Sequence, residues 1–297
     1  MSAPNAGDVQ TIAPGLRCIL APNPGPMTHW GTNTFILGEG RVAIVDPGPD
    51  DGAHLQALIK ATSGETITHI LVTHAHRDHS PLARALSAVT GAPVIGFGPA
   101  DAGRSATMAR LAKAGLAGGG EGVDTAFQPD ITVNDGDQIV GDDWTVDVVH
   151  TPGHFAGHLA FSCADGVISG DHVMDWSSSL VSPPDGDIGA FMATSAKLRA
   201  MNAARLFPGH GSPIEDPAER LDWLTAHRLS RETAIRHVLD HTPQSITSIT
   251  AKVYTDVPPA MLPAAARNVF AHLIDLVERN IASVTPELSP KALFAQS

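Results

Sequence analysis

The heptapeptide Thr73-His74-Ala75-His76-Arg77-Asp78-His79 constrains this chain more than any other feature. It follows directly on the apolar, β-branched run at 68–72, which reads as a buried strand. In α/β folds, ligand-binding side chains gather beyond the carboxyl ends of strands. In a tight loop at that position, His74 and His76 can face one way while Asp78 and His79 face another. One short loop thereby offers four metal-binding side chains. The chain also carries fifteen histidines, more than a core ordinarily absorbs as satisfied ring nitrogens.

Three further segments repeat the arrangement. His150-Thr151-Pro152-Gly153-His154, Ser169-Gly170-Asp171-His172 and Phe207-Pro208-Gly209-His210-Gly211 each place His or Asp just past a β-like run. Any one of them alone reads as a turn. Together with the heptapeptide they supply enough His and Asp donors for two divalent ions in tetrahedral or octahedral geometry.

The order of these runs sets the organisation. Strand patterns at 34–37, 42–45, 68–72, 93–97, 138–149, 159–163, 167–169 and 205–208 alternate with helical patterns at 53–61, 82–90 and 188–201. A helical excursion is expected at 101–117. Turn residues and proline at 211–217 mark a boundary. An α/β catalytic domain is therefore expected over 1–215 and a smaller domain over 216–297. Helical patterns at 221–239, 245–254 and 263–279, followed by a β-like end at 281–294, suggest a winged-helix-like module.

Charge narrows the partners. The formal net charge is −12, which disfavours nucleic acid as a partner. The segment 216–297 carries 8 Lys and Arg against 9 Asp and Glu, so its winged-helix pattern lacks the basic footprint of a duplex binder. The module is expected to lid the active site or to form a homo-oligomer contact. No apolar run is long enough to span a bilayer, so no membrane partner is expected. The first sixteen residues lack the pattern of a secretory signal. Cys18 and Cys163 lie far apart in sequence, which argues against a disulfide scaffold or a thiolate metal site, and a reducing cytoplasm is expected.

T-H-A-H-R-D-H, then T-P-G-H, G-D and P-G-H, in that order, resemble the metallo-β-lactamase superfamily over the whole of the larger domain. The resemblance implies an α/β fold, a four-layer αβ/βα sandwich with a dinuclear site along one edge. It implies a first metal held by His74, His76 and His154, and a second held by Asp78, His79 and His210. Asp171 would bridge the two, an arrangement similar to glyoxalase II and unlike class B β-lactamases. A narrower resemblance lies in Asn23-Pro24-Gly25-Pro26-Met27, Gly31-Thr32-Asn33-Thr34-Phe35 and Val45-Asp46-Pro47-Gly48-Pro49. It continues in Gly170-Asp171-His172-Val173-Met174 and Ser182-Pro183-Pro184-Asp185-Gly186-Asp187. With the C-terminal helices, these segments resemble the β-lactamase-like-2 group, which carries a C-terminal winged helix. Its eukaryotic members are endoribonucleases, and many bacterial members are called glyoxalase-like hydrolases.

The chemistry expected of such a site is hydrolytic. Two divalent ions roughly 3.5–4 Å apart hold a bridging hydroxide at neutral pH, which acts as the nucleophile. Asp171 and Asp78 are the expected catalytic carboxylates, the first as bridge and the second as ligand and acceptor of a hydrogen bond from the nucleophile. Zinc is the expected metal, and iron or manganese suits the same donors. No G-x-S-x-G nucleophile elbow is present. His150, His158 and His172 are expected to support the ligands through hydrogen bonds, the alternative being that one of them donates a proton or contacts the substrate. Asp46 either orients a ligand histidine or serves as a turn residue. Met174, Trp176, Ser177 and Leu180 either wall a substrate pocket or pack against the C-terminal module. The expected function is hydrolysis of an ester, thioester or lactone/lactam-type bond in a small molecule. The alternative is a metal-dependent endoribonuclease acting on single-stranded RNA, for which Arg77, Arg104 and Arg110 are the available cations.

Overall fold

The computed structural model describes residues 4–297. Among these, a mixed sheet of seven strands opens the chain. The antiparallel strands β1 (Val9–Ala13), β2 (Leu16–Leu20), β3 (Asn33–Leu37) and β4 (Arg41–Val45) come first. Helix α1 (Gly52–Ala61) then crosses to β5 (Thr66–Leu71), and α2 (Leu82–Thr90) crosses to β6 (Val94–Gly96). Helix α3 (Ala106–Lys113) precedes the two-residue strand β7 (Ile131–Thr132). From β4 to β7 the pairing is parallel.

The second sheet has the order β12-β11-β10-β9-β8. It comprises β8 (Gln138–Val140), β9 (Thr145–His150), β10 (Leu159–Cys163) and β11 (Gly166–Gly170), then β12 (Leu206–Pro208). Helix α4 (Ile188–Ala200) makes the crossover to β12, the strand that pairs parallel to β11. The sequence pattern suggests one strand over 138–149, but the structure folds it into the hairpin β8–β9. The turn closes with Gly141 N–H donating to Trp144 O at 2.8 Å. It needs glycine, because a Cβ at position 141 would fall 2.1 Å from Trp144 Cε2.

Both faces of the central strands of each sheet are covered, and those strands alternate accordingly. Phe35, Val45, Leu71 and Ile95 of the first sheet meet Val148, Phe161, Ile168 and Phe207 of the second in one core. Their neighbours Ile36, Ile44, Ile70 and Val94 point outward onto Leu58 of α1 and onto Leu82 and Leu86 of α2. On the far side, Val149, Ala160, Val167 and Leu206 meet Phe191 and Leu198 of α4. The result is the four-layer αβ/βα sandwich. Each large apolar side chain removed from water contributes about 1.5–3 kcal/mol. Phe35 and Phe207 meet edge to face at 6.4 Å between the sheets, which fixes the end of β12 against β3.

Helix α5 (Pro217–Val238) joins the two parts of the molecule. Its start is set by Asp216, whose side chain accepts from Glu219 N–H, and by Pro217 in the first turn. Leu221 and Leu224 pack under the second sheet, whereas Ile235 enters a separate C-terminal core. That core is built by β13 (Gln244–Ser245), α6 (Ile246–Val253), α7 (Leu262–Glu278), β14 (Ala282–Thr285) and β15 (Leu293–Gln296). The three strands pair in the order β13-β15-β14, a small antiparallel wing beside the helices.

Candidate metal centre

The heptapeptide loop leaves β5 where Asp46 leaves the neighbouring β4. Asp46 takes a left-handed backbone conformation, φ +51°, that turns its carboxylate under the loop. One oxygen accepts Thr73 N–H at 2.7 Å; the other accepts Thr73 Oγ1 at 2.7 Å and His79 Nδ1 at 2.8 Å. Because the Thr73 hydroxyl proton is committed to Asp46, its oxygen accepts from His74 Nδ1 at 2.9 Å. A single buried carboxylate thereby fixes the tautomers of His74 and His79 and turns the Nε2 lone pair of each inward. It orients ring nitrogens as one of its two sequence readings requires.

Backbone carbonyls do the same for the other rings. His154 Nδ1 donates to Leu180 O at 2.7 Å, and His210 Nδ1 donates to Gly31 O at 3.0 Å. The 207–211 turn is in turn held by Asn33, whose Nδ2 donates to Pro208 O at 2.9 Å and to Gly211 O at 3.0 Å. His158 accepts Asp171 N–H on Nε2 at 3.1 Å and donates from Nδ1 to Thr151 Oγ1 at 2.7 Å. His150 donates to Ala156 O at 3.0 Å, and His172 bonds Ser195 Oγ at 3.1 Å. Asn33 and the carbonyls of Gly31 and Leu180 are absent from the sequence-derived roles. Only the Gly31–Asn33 tripeptide within the family-like segment hinted at them.

The seven sequence-derived donors come together in two buried groups that share one residue. His74, His76, His154 and Asp171 form the first; Asp78, His79, Asp171 and His210 form the second. In the first, His76 Nδ1 lies 2.9 Å from His74 Nε2 and 3.0 Å from His154 Nε2, and Asp171 Oδ2 lies 3.7 Å from His154 Nε2. In the second, His210 Nε2 lies 3.1 Å from Asp78 Oδ2 and 3.3 Å from Asp171 Oδ2, and His79 Nε2 lies 3.3 Å from Asp171 Oδ1.

These groups fit divalent cations. In the first group the Nε2 atoms of His74 and His154 both present lone pairs to His76 Nδ1, and one proton satisfies only one of them. In the second, His79 Nε2, His210 Nε2, Asp78 Oδ1 and Asp171 Oδ1 are buried without a hydrogen-bond partner among the described residues. The electrostatics agree. Burial, aided by His154, pushes His76 down to about 3, and burial holds His74 well below its ordinary value, so both rings are neutral donors. Burial works to raise Asp171, but His210 and His79 outweigh it and keep the carboxylate well below the usual range. Burial opposes His210 as well, yet Asp171 and Asp78 raise it to about 10: the carboxylates demand a cation there. The donor set is nitrogen and oxygen throughout. Neither cysteine contributes, and burial pushes Cys18 up to about 12.

A cavity of about 200 Å³ opens onto His76, Asp78, His154 and Asp171. Met174, Trp176, Ser177 and Leu180 line it, and so do Tyr254, Met261, Ala264 and Asn268 of the C-terminal part. The smaller domain therefore forms one wall of the site. Arg77, Arg104 and Arg110 do not line it. Arg104 is paired with Asp185 at 2.7 Å, and Arg77 donates to Val123 O at 3.3 Å.

A family model described as the metallo-beta-lactamase superfamily matches residues 27–210, and one described as the beta-lactamase associated winged helix domain matches residues 245–287. A beta-lactamase-like protein 2 homolog from Caenorhabditis elegans is 30% identical over 268 residues, covering 88% of this chain and 83% of the relative. An atrochrysone carboxyl ACP thioesterase from a Cryptosporiopsis species is 27% identical over 242 residues, covering 80% of this chain and 67% of the relative. The crystal structure of a beta-lactamase domain protein from Burkholderia ambifaria shares the fold, with a TM-score of 0.80 at 23% identity, over 100% of this chain and 95% of that one. Sequence, fold and the paired His/Asp groups agree: the chain belongs to the metallo-beta-lactamase superfamily of hydrolases and carries that family's associated winged helix domain.

Proposed function

We propose that this hydrolase binds two divalent cations and cleaves an ester, thioester or lactone-type bond of a small, uncharged acyl compound. His74, His76, His154 and Asp171 would hold one ion, and Asp78, His79, His210 and Asp171 the other. Such a pair, when bound, would supply an activated water at neutral pH and a Lewis acid for the acyl oxygen. The chain's own groups do the rest. The Asp171 carboxylate lies within reach of both groups of donors, with Oδ1 3.3 Å from His79 Nε2 and Oδ2 3.3 Å from His210 Nε2 and 3.7 Å from His154 Nε2, as a shared ligand requires. Asp78 Oδ1 has no hydrogen-bond partner among the described residues, which suits it to accept a hydrogen bond from the attacking water. Met174, Leu180 and Met261 exclude solvent from the acyl group.

The observation that carries this reading is the cavity lining. Among the described residues, no Lys or Arg faces the cavity, and apolar side chains dominate its walls. Beyond the cations themselves a polyanion finds no basic side chain there for its neighbouring phosphates, whereas an apolar acyl group finds a fitting wall. The thioesterase among the relatives supports the same class of bond. The test is kcat/KM of metal-loaded protein on a panel of thioesters, esters and lactones, run beside unstructured RNA oligomers with chelator controls. Metal-dependent turnover of the acyl panel is expected. Efficient RNA cleavage with a silent acyl panel would overturn the reading.

A further inference from the structure

Arg228 of α5 is the largest side chain fully enclosed in the protein, and no carboxylate pairs with it among the described residues. Its guanidinium is held otherwise. Nη2 donates to Ser179 O, Nη1 donates to Asn268 Oδ1 at 3.1 Å, and the group lies 4.9 Å from the Phe191 ring centre. Burial lowers it to about 10, so it stays charged at neutral pH. A buried cation without a counter-ion is costly to keep, and this one spends a hydrogen bond on a cavity residue.

That bond determines how Asn268 is oriented. Asn268 Oδ1 also accepts Val181 N–H at 3.1 Å. Both partners are obligate donors, so the oxygen end of the amide is fixed by chemistry. The NH2 end keeps a single long contact, 3.4 Å to Ala264 O, on a wall otherwise formed by Val257, Met261, Ala264 and Ala265. Tyr254 on the same wall can donate or accept and so imposes neither. A donor held rigidly on an apolar wall selects an occupant with an acceptor at that place.

We infer that the Asn268 NH2 is a specificity-determining donor for a second oxygen of the substrate, beyond the scissile carbonyl, and that Arg228 is the residue that positions it. This rests on the hydrolase reading above. The scissile carbonyl belongs at the His/Asp groups, so Asn268, on the C-terminal wall, meets a different oxygen. That oxygen is neutral, because away from the His/Asp groups no Lys or Arg among the described residues lines the cavity to pair a charged one, and Glu121 does line it. It is placed on the acyl side, because the apolar wall that carries Asn268 (Val257, Met261, Ala264 and Ala265) suits an acyl chain. The substrate class is therefore a short acyl ester or thioester bearing a keto or hydroxyl oxygen on its chain.

The experiment compares matched thioesters of one small thiol, such as butanoyl, 3-oxobutanoyl and 3-hydroxybutanoyl, on wild type, N268D and Arg228→Met. Wild type is expected to favour an oxygenated chain by roughly tenfold in kcat/KM, the worth of one hydrogen bond in a solvent-poor site. In N268D the carboxylate still meets Arg228 and Val181 N–H, so the fold and metal content are retained while the NH2 is lost. The preference is expected to vanish, with the oxygenated substrate losing roughly tenfold more than the plain one. Arg228→Met is expected to weaken the same preference if it folds, and N268D decides the matter if it does not. A wild-type ratio near one, or equal losses on plain and oxygenated chains in N268D, overturns the inference and leaves the hydrolase reading standing. No turnover of any thioester, ester or lactone by metal-loaded wild type overturns the hydrolase reading itself.

Discussion

Asp46 controls two ring tautomers from outside both donor groups. Its bonds to Thr73 and His79 propagate to His74, so one carboxylate sets an inward lone pair in each group. Asp46→Asn keeps a residue that tolerates the left-handed backbone but replaces one acceptor oxygen with a donor. Metal affinity is expected to fall roughly 10- to 100-fold, the usual cost of losing such a supporting partner. Competition with a chromophoric chelator, on variant protein whose circular dichroism matches wild type, measures it. Asp171 and His158 make a second contrast. Asp171 belongs to both groups, whereas His158 lies outside them and bonds the Asp171 backbone N–H and Thr151 Oγ1. Asp171→Ala is expected to lower bound metal to one ion or fewer and kcat/KM by roughly a thousandfold or more. His158→Ala is expected to keep both ions and lose roughly 10- to 100-fold. Equal losses at matched metal occupancy would move His158 into the reaction itself.

At the scale of elements, the sequence was most readable where both faces of a strand are buried. The stretches 35–37 of β3, 42–45 of β4 and 70–72 at the end of β5 are continuous apolar runs because helices cover one face and the second sheet the other. Strand β1 is not legible in the sequence, because Val9, Gln10 and Thr11 are exposed and only Ala13 is buried, leaving no alternation to read. Strands β8 and β9 merged in the reading because the turn between them depends on a contact between Gly141 and Trp144 that composition does not reveal. The seven donors were legible because each follows a strand and chemistry restricts its residue type. The carbonyls of Gly31 and Leu180 were not, since a backbone acceptor carries no side-chain signal. The wall from α7 was not, since its docking over the site is a tertiary event far along the chain. The turn after β12 adds a constraint of its own. A Cβ at Gly209 would lie 2.3 Å from Asp171 Oδ1 and 2.8 Å from His79 Cε1. Gly209→Ala therefore pushes a methyl group into the donors with no backbone strain of its own. It is expected to bind fewer than two metals and to lose most activity while its far-UV circular dichroism is unchanged. Full metal content and activity in this variant would show that the donors give way.

The molecule as a whole carries a stability that depends on neutral histidines buried in separate cores. His54 of α1 bonds Thr34 Oγ1 at 2.9 Å beneath the first sheet, and burial pushes it down to about 4 against a smaller opposing pull from Asp51. His272 of α7 lies in a cleft it shares with Ile188 and Met192 of α4 and Arg228 of α5, where burial, Arg228 and Arg279 push it down to about 3. In the unfolded chain both rings take up a proton near pH 6.5. Between that pH and the folded values, the unfolded state binds more protons than the folded one, so stability is full above about 6.5 and is lost as pH falls. Each ring contributes up to about 1.4 kcal/mol per pH unit within its window. The midpoint of urea unfolding of metal-free protein is expected to drop steadily from pH 7 to pH 4.5. His272 isolates one share of that slope, because neither of its ring nitrogens has a hydrogen-bond partner among the described residues. His272→Leu removes a titrating group without removing a bond. It is expected to flatten the acid limb by about one proton's worth and to exceed wild type in stability at pH 5, with a smaller difference at pH 8. A parallel pH dependence in the two proteins would mean that His272 is protonated in the folded state, and that water or a shift of α7 reaches it in that cleft.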